Sequence, residues 1–234
     1  MPAVIDATDA SKRLFLGVRV SVATANALAQ CAEQLARRAK DANLDIRWLP
    51  PTSYHVTLKF LGWVRIDAIA AIRDAAAKAI AGTQPFRFRT MRLGAFGSLE
   101  KASVLWAGVE ASEPMTKLAT SIDLAMTSLG FAIESRPFVA HVTLGRLRET
   151  RPVRDVVLPM SEQMFSETRV DHVTLYESEM KPSGSVYKEI AKIGFDRTEI
   201  EPIRSQNRQT EPLDLGDTDN ETDDGWPRNE PGRS

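Results

Sequence analysis

A chain of 234 residues with 43% apolar and 26% charged residues and a formal net charge of −1 can bury a sizeable core. That balance excludes collagen-like, mucin-like and wholly disordered classes. Its single cysteine, Cys31, can form neither an internal disulfide nor a multi-thiolate metal site, so a cytoplasmic chain is the default. Residues 1–12 carry no apolar signal-like core, and no apolar run approaches the roughly 18 residues of a membrane span, so no membrane contact is expected.

In chain order, residues 1–12 read as a flexible N-terminus, and RLFLGVRV from Arg13 to Val20 reads as a strand. A helix follows with Leu28, Ala32, Leu35 and Ala39 on one face, Cys31 sitting beside that stripe as a small core residue. Tyr54 to Leu61 is a strand, and the next helix carries Ile69, Ile72, Ala76 and Ile80 and stops at Gly82. Val104 to Val109 is a strand, and Ser112 can cap a helix that carries Met115, Leu118, Ile122, Met126 and Leu129 and ends at Gly130. Strand signals return at Phe138 to Leu147, Arg169 to Tyr176 and Val186 to Ile193. Two strand–helix–strand halves of similar length predict an internally duplicated α+β domain over residues 13–198. From Glu199 to Ser234 ten acidic residues face four arginines, with no periodicity. That acidic segment is expected to be a disordered tail in which Trp226 is incidental, and it leaves the body with a surplus of positive charge.

The chain holds three histidines, and each opens the same tetrapeptide, His-Val-Thr-Leu: His55, His141 and His172. A given tripeptide recurs by chance about once in several thousand positions, so coincidence does not explain three copies. In a strand, residues two apart share a face, and each motif therefore buries Val and Leu while presenting an imidazole and a hydroxyl together. His55 and His141 each sit in the closing strand of a half, 86 residues apart, which is the spacing of a duplication. If a pseudo-twofold axis relates the halves, these two motifs face each other across a cleft. His172 stands in a different context, after Asp171, and is read as an ordinary strand position.

Two facing imidazoles are useful because histidine, with an ordinary pKa of about 6.5, can accept or donate a proton near neutrality. In-line opening of a phosphodiester needs a base on the attacking oxygen and an acid on the leaving oxygen. Threonine hydroxyls can hold the non-bridging oxygens, and a positively charged body suits an anionic substrate.

With these features the sequence resembles the two-histidine (2H) phosphoesterase superfamily, within it the bacterial and archaeal RNA 2′,3′-cyclic phosphodiesterases formerly called 2′-5′ RNA ligases. The resemblance runs from about Arg13 to Phe195. It is carried by RLFLGV at 13–18, RWLPPTSYHVTLKFLG at 47–62, LGAFGS at 93–98, VLWAGV at 104–109, ESRPFVAHVTLGRLR at 134–148 and LYESEMKPSGSVY at 175–187. Ala140 replaces the proline common before the second histidine, and Gly97 follows the GAF segment. The resemblance implies a bilobed α+β fold with two pseudo-symmetric halves whose antiparallel sheets line a central cleft. It further implies metal-independent opening of a 2′,3′-cyclic phosphate to a 2′-phosphomonoester, without a cofactor. By motif, His55 with Thr57 forms one half-site and His141 with Thr143 the other, with His55 as general acid and His141 as general base. Some members of the family also join RNA ends through 2′-5′ bonds.

The expected partner is RNA or an oligonucleotide with a 2′,3′-cyclic phosphate end, bound by a monomer. Strict alternation puts Lys59 on the cleft side with His55, as a phosphate contact. Arg146 points away unless the strand bulges near Gly145, in which case it becomes a phosphate or RNA contact. Phe60 and Trp106 read as core residues. The rival functions are a zinc hydrolase using all three histidines, a non-catalytic nucleotide-binding module, and a phosphodiesterase acting on a small cyclic nucleotide or a 2′-5′ oligonucleotide.

Overall fold

The computed structural model describes residues 11–110, 113–181 and 184–195. Residues 1–10, Ser112 and the acidic tail with Trp226 lie outside them. The chain runs β1 (Ser11–Arg19), α1 (Val22–Asp41), β2 (Ile46–Trp48), β3 (His55–Arg65), α2 (Ile69–Ile80), β4 (Phe86–Phe96), β5 (Ala102–Val109), α3 (Glu113–Thr127), β6 (His141–Arg151), α4 (Arg154–Val157), β7 (Met164–Val170), β8 (His172–Lys181) and β9 (Gly184–Gly194). β1 begins two residues inside the stretch expected to be flexible. The segment from Arg169 to Tyr176, expected as one strand, belongs to two, because the chain turns at Asp171.

All strand pairs are antiparallel, and the order is β7-β4-β5-β6-β3-β1-β8-β9, with β2 added on β6. The expected α+β architecture of two halves is therefore present. The halves, β7-β4-β5-β6 and β3-β1-β8-β9, are stitched at their seam by the pairing of Val56 with Val142. One residue after His55 pairs with one residue after His141, so the seam itself sets the two histidine motifs side by side.

The two long helices α1 and α3 pack across the seam. Ser21 caps α1, its Oγ accepting from the Thr24 amide at 3.2 Å, and Arg38 and Lys40 occupy the last turn, where cations complement the helix dipole. Leu28, Cys31, Ala32, Leu35 and Ala39 form its buried stripe. That stripe lies against β2, β6 and β7, and Ser21 N–H and Thr24 Oγ1 bond Thr168 Oγ1 and the Glu167 carbonyl at 3.0 and 3.2 Å. α3 buries Met115, Leu118, Ile122 and Met126 against β3 and α2. The helix of each half thus covers the sheet of the other, an exchange that a twofold-related pair makes possible. Leu129, expected on the apolar face of α3, lies beyond the helix end and is 38% exposed. Gly82 and Gly130 follow α2 and α3 with φ of +79° and +85°, the left-handed conformation glycine tolerates best. Among the described residues no helix is long and apolar enough to cross a membrane.

Candidate active site

His55 and His141 open β3 and β6 on the sheet face opposite the helices, and both are held the same way. The Nδ1 of His55 lies 2.7 Å from the Ser53 carbonyl, and that of His141 lies 2.7 Å from the Val139 carbonyl. A carbonyl only accepts, so each Nδ1 carries the hydrogen, and each neutral ring keeps its Nε2 lone pair. Thr57 Oγ1 stands 3.1 Å from His55 Nε2 and donates to it. Thr143 shares the face of His141 two residues on, without the corresponding bond.

Aromatic rings enclose the His55 imidazole and flank that of His141. Phe15 stacks on His55 with centroids 4.7 Å apart, and Tyr187 meets its face edge-on at 4.9 Å. Tyr176 stacks on Phe15 at 4.9 Å. Across the seam, Phe96 contacts His141 edge-on at 4.6 Å, with Trp106 at 6.5 Å. Beneath these rings β1 runs close to β3 at Gly17, where a Cβ would lie 2.8 Å from the Val56 carbonyl oxygen. Burial pushes the pKa of His55 down to about 4, with the charges of His141, Arg146 and Arg19 adding to it. The His141 pKa is lowered as well, first by burial and then by Arg146. Both rings are therefore neutral in the free protein at pH 7.

The next residues along β3 and β6 are governed by two bulges. In the β1–β3 ladder Gly17 opposes Thr57 and Leu16 opposes Lys59, so Leu58 has no partner. The extra residue reverses the alternation. Lys59 therefore turns to the helix side, is 8% exposed, pairs with Asp123 of α3 and donates to the Ala132 carbonyl at 2.6 Å. This corrects its expected position as a cleft phosphate contact. Phe60 takes the exposed face instead, 48% accessible with the Arg13 guanidinium 4.6 Å above its ring, and is not a core residue. In the β5–β6 ladder Trp106 opposes Thr143 and Leu105 opposes Gly145, leaving Leu144 unpaired. Gly145 then faces the core, where a Cβ would meet Ile46 Cγ2 at 2.8 Å, and Arg146 faces the cleft near enough to both histidines to bias their protonation. The bulge on which the Arg146 contact depends is present. Trp106 lies on the cleft face, its ring flat over Gly94, where a Cβ would come within 2.4 Å, and is not a core residue either.

Beside His55 a cavity of about 200 Å³ is lined by Arg19, Pro50, Thr52, Ser53, Tyr176, Val186, Tyr187 and Glu189 among others. Arg19 crosses it, donating to Glu189 Oε1 at 2.8 Å and the Thr52 carbonyl at 3.1 Å. Sequence reasoning missed Arg19 and Phe15. Their signal was the alternation of β1, which puts Arg13, Phe15, Gly17 and Arg19 on one face. His172 lies apart from this group, its Nδ1 2.6 Å from Asp171 Oδ1. Among the described residues no three His, Cys, Asp or Glu side chains gather as a metal site.

The chain is similar to several known proteins. RNA 2′,3′-cyclic phosphodiesterase of Archaeoglobus fulgidus is 32% identical over 146 residues, covering 62% of this chain and 81% of that protein. The protein of the same name from Thermotoga maritima is 26% identical over 184 residues, covering 79% and 96%. Among solved structures, TT0787 of Thermus thermophilus superposes with a TM-score of 0.66 at 24% identity over 80% of this chain and all of its own. E. coli LigT, solved with 3′-AMP, gives 0.60 at 20% identity over 79% and 98%; both share the fold. The sequence model of the 2′-5′ RNA ligase superfamily matches residues 26–182, a span that contains both seam-flanking histidines, their threonines and Arg146, and the chain belongs to that superfamily.

Proposed function

We propose that this protein hydrolyses 2′,3′-cyclic phosphate ends of RNA to 2′-phosphomonoesters, with His55 as general acid and His141 as general base. The observation that carries the reading is the matched pair of imidazoles. Each is fixed through Nδ1–H to the carbonyl two residues back, and each turns Nε2 to a shared cleft that also holds Arg146. The names borne by the Archaeoglobus and Thermotoga relatives support the substrate.

In the proposed reaction a water oxygen attacks phosphorus and loses its proton to His141 Nε2. The P–O3′ bond breaks on the opposite side, and O3′ takes a proton from His55 Nε2. His141 then returns its proton to solvent and His55 regains one. The direction fits the surroundings, because His141 is the more open ring, accessible to water, whereas the cavity beside His55 can take the nucleoside that carries O3′. The acid must be protonated when needed, and the phosphate charge together with the flanking aromatic faces favours an imidazolium that the free protein disfavours. Once His55 Nε2 carries a proton, the Thr57 hydroxyl is released to a non-bridging oxygen. Thr143 and Arg146 hold the other, where charge develops. Both histidines come from one chain, so a monomer suffices, and the lone buried Cys31 suits a cytoplasmic setting.

The test is turnover of an oligoribonucleotide with a 2′,3′-cyclic end in excess chelator. Undiminished activity is expected; activity that disappears in chelator and returns with zinc or manganese would contradict the mechanism.

A further inference from the structure

Cross-strand register brings a second arginine to the catalytic face. In the short β2–β6 ladder Ile46 opposes Leu147, Arg47 opposes Arg146 and Trp48 opposes Gly145. Ile46 and Trp48 lie against the core side of Gly145, so Arg47 shares with Arg146 the face that holds His141 and Thr143. Directly opposed residues in an antiparallel pair have Cβ atoms about 5 Å apart, and like charges there are destabilising. One step outward the ladder is complementary, Arg148 Nε bonding Asp45 Oδ2 at 3.0 Å. At the Arg47–Arg146 step no carboxylate answers either guanidinium among the described residues, although Arg19, Arg89, Arg92, Arg136 and Arg154 all have acidic partners. A like-charged pair held by sheet register, without a counter-ion, suits an anion, and guanidinium forks match phosphate oxygens.

Its place in the sheet sets it apart from the cavity beside His55. β3 and β2 meet the same edge of β6, β3 at Val142 and β2 from Gly145. The chain between them loops out, and its Pro50, Thr52 and Ser53 line the cavity beside His55. Arg47 therefore stands on the edge of β6 that β3 also uses, outside the lining of that cavity and one cross-strand step from the arginine that faces the histidines.

We propose that Arg47, beside Arg146, binds a backbone phosphate of the RNA upstream of the cyclic end and so selects oligonucleotides over mononucleoside cyclic phosphates. The proposal rests on reading the cleft as a cyclic phosphodiesterase site. A mononucleoside 2′,3′-cyclic phosphate has no upstream phosphate to offer, which makes the two substrates a direct comparison.

The experiment measures kcat and KM of the full chain and of Arg47→Met and Arg47→Lys on a short oligoribonucleotide with a 2′,3′-cyclic end and on the matching mononucleotide. Arg47→Met should lower the ratio of their kcat/KM values about tenfold, the effect of one charge-assisted contact, chiefly through KM for the oligonucleotide. The dependence of log kcat/KM on log salt should become shallower by about 0.7 for one lost single-strand contact, while Arg47→Lys keeps the wild-type slope. The melting temperature of Arg47→Met should not fall, because a repulsion is relieved. An unchanged ratio, or equal losses on both substrates, overturns the proposal, as does a marked drop in melting temperature. If the wild-type chain opens neither cyclic end, the catalytic reading fails. Binding of an oligonucleotide with a 3′-phosphate end then decides on Arg47 alone, a weaker and less salt-sensitive affinity in Arg47→Met supporting the contact and equal affinities removing it.

Discussion

Lowering the pH should leave His55 neutral until about pH 4, well below the ordinary histidine midpoint of 6.5. The difference of about 2.5 units corresponds to about 3 kcal/mol against the imidazolium, arising first from burial among Phe15, Tyr176 and Tyr187 and then from nearby positive charge. An unfolded chain takes up this proton near pH 6.5 and the folded chain only near 4. Between those values the unfolded state binds more protons, so stability rises with pH across that window and is lost as pH falls through it, by at most about 3 kcal/mol from this group. NMR titration of the ring Cε1–H signals measures the midpoint, the three histidines of the chain being assigned with single His→Gln variants. Inorganic phosphate at saturation should raise the His55 midpoint, because an anion in the cleft offsets Arg146 and favours the charged ring. A midpoint near 6.5 in the free protein, or one that phosphate leaves unmoved, would refute the account of how the acid acquires its proton.

His55→Ala and His141→Ala should each lower turnover by about 10² to 10⁴, while His172→Ala retains most of it; equal losses in all three would place His172 in the site. A substrate whose leaving group departs without protonation should rescue His55→Ala but not His141→Ala, and rescue of the latter would reverse the roles. Lys59→Met strands Asp123 at the back of β3 and should cost about 3 kcal/mol in urea unfolding. The double variant Lys59→Met/Asp123→Leu should recover much of that, and a single-variant cost below about 1 kcal/mol would show the pair to be solvent-screened. Deleting residues 199–234 should leave the melting temperature and turnover nearly intact and tighten RNA binding at low salt; an insoluble product would show that the acidic segment contributes to the fold.

The duplicated His-Val-Thr-Leu motif made the two half-sites legible, because alternation over four residues needs only local geometry. The face of the next residues was not legible. Whether Lys59 or Phe60 faces the cleft depends on Leu58 finding no partner across β1, and the orientation of Arg146 depends on Leu144 finding none across β5. Register is a property of two strands, so the alternation along one strand does not fix where it bulges. The lone position without a side chain, Gly145, was the clue, since a bulge that turns a residue into a tight core contact favours glycine. Helix stripes such as Leu28, Ala32, Leu35 and Ala39 were legible, but nothing local told α1 to cover the sheet of the other half. The aromatic enclosure of His55 escaped because Phe15, Tyr176 and Tyr187 come from three separate strands.

The product of a single turnover tests the central claim most directly. An oligoribonucleotide with a 2′,3′-cyclic phosphate end is incubated with the protein in chelator and followed by ³¹P NMR. The cyclic signal should be replaced by that of a 2′-phosphomonoester, at a rate that collapses in His55→Ala and His141→Ala; a 3′-phosphomonoester, or a cyclic end that persists with the wild-type protein, would contradict it.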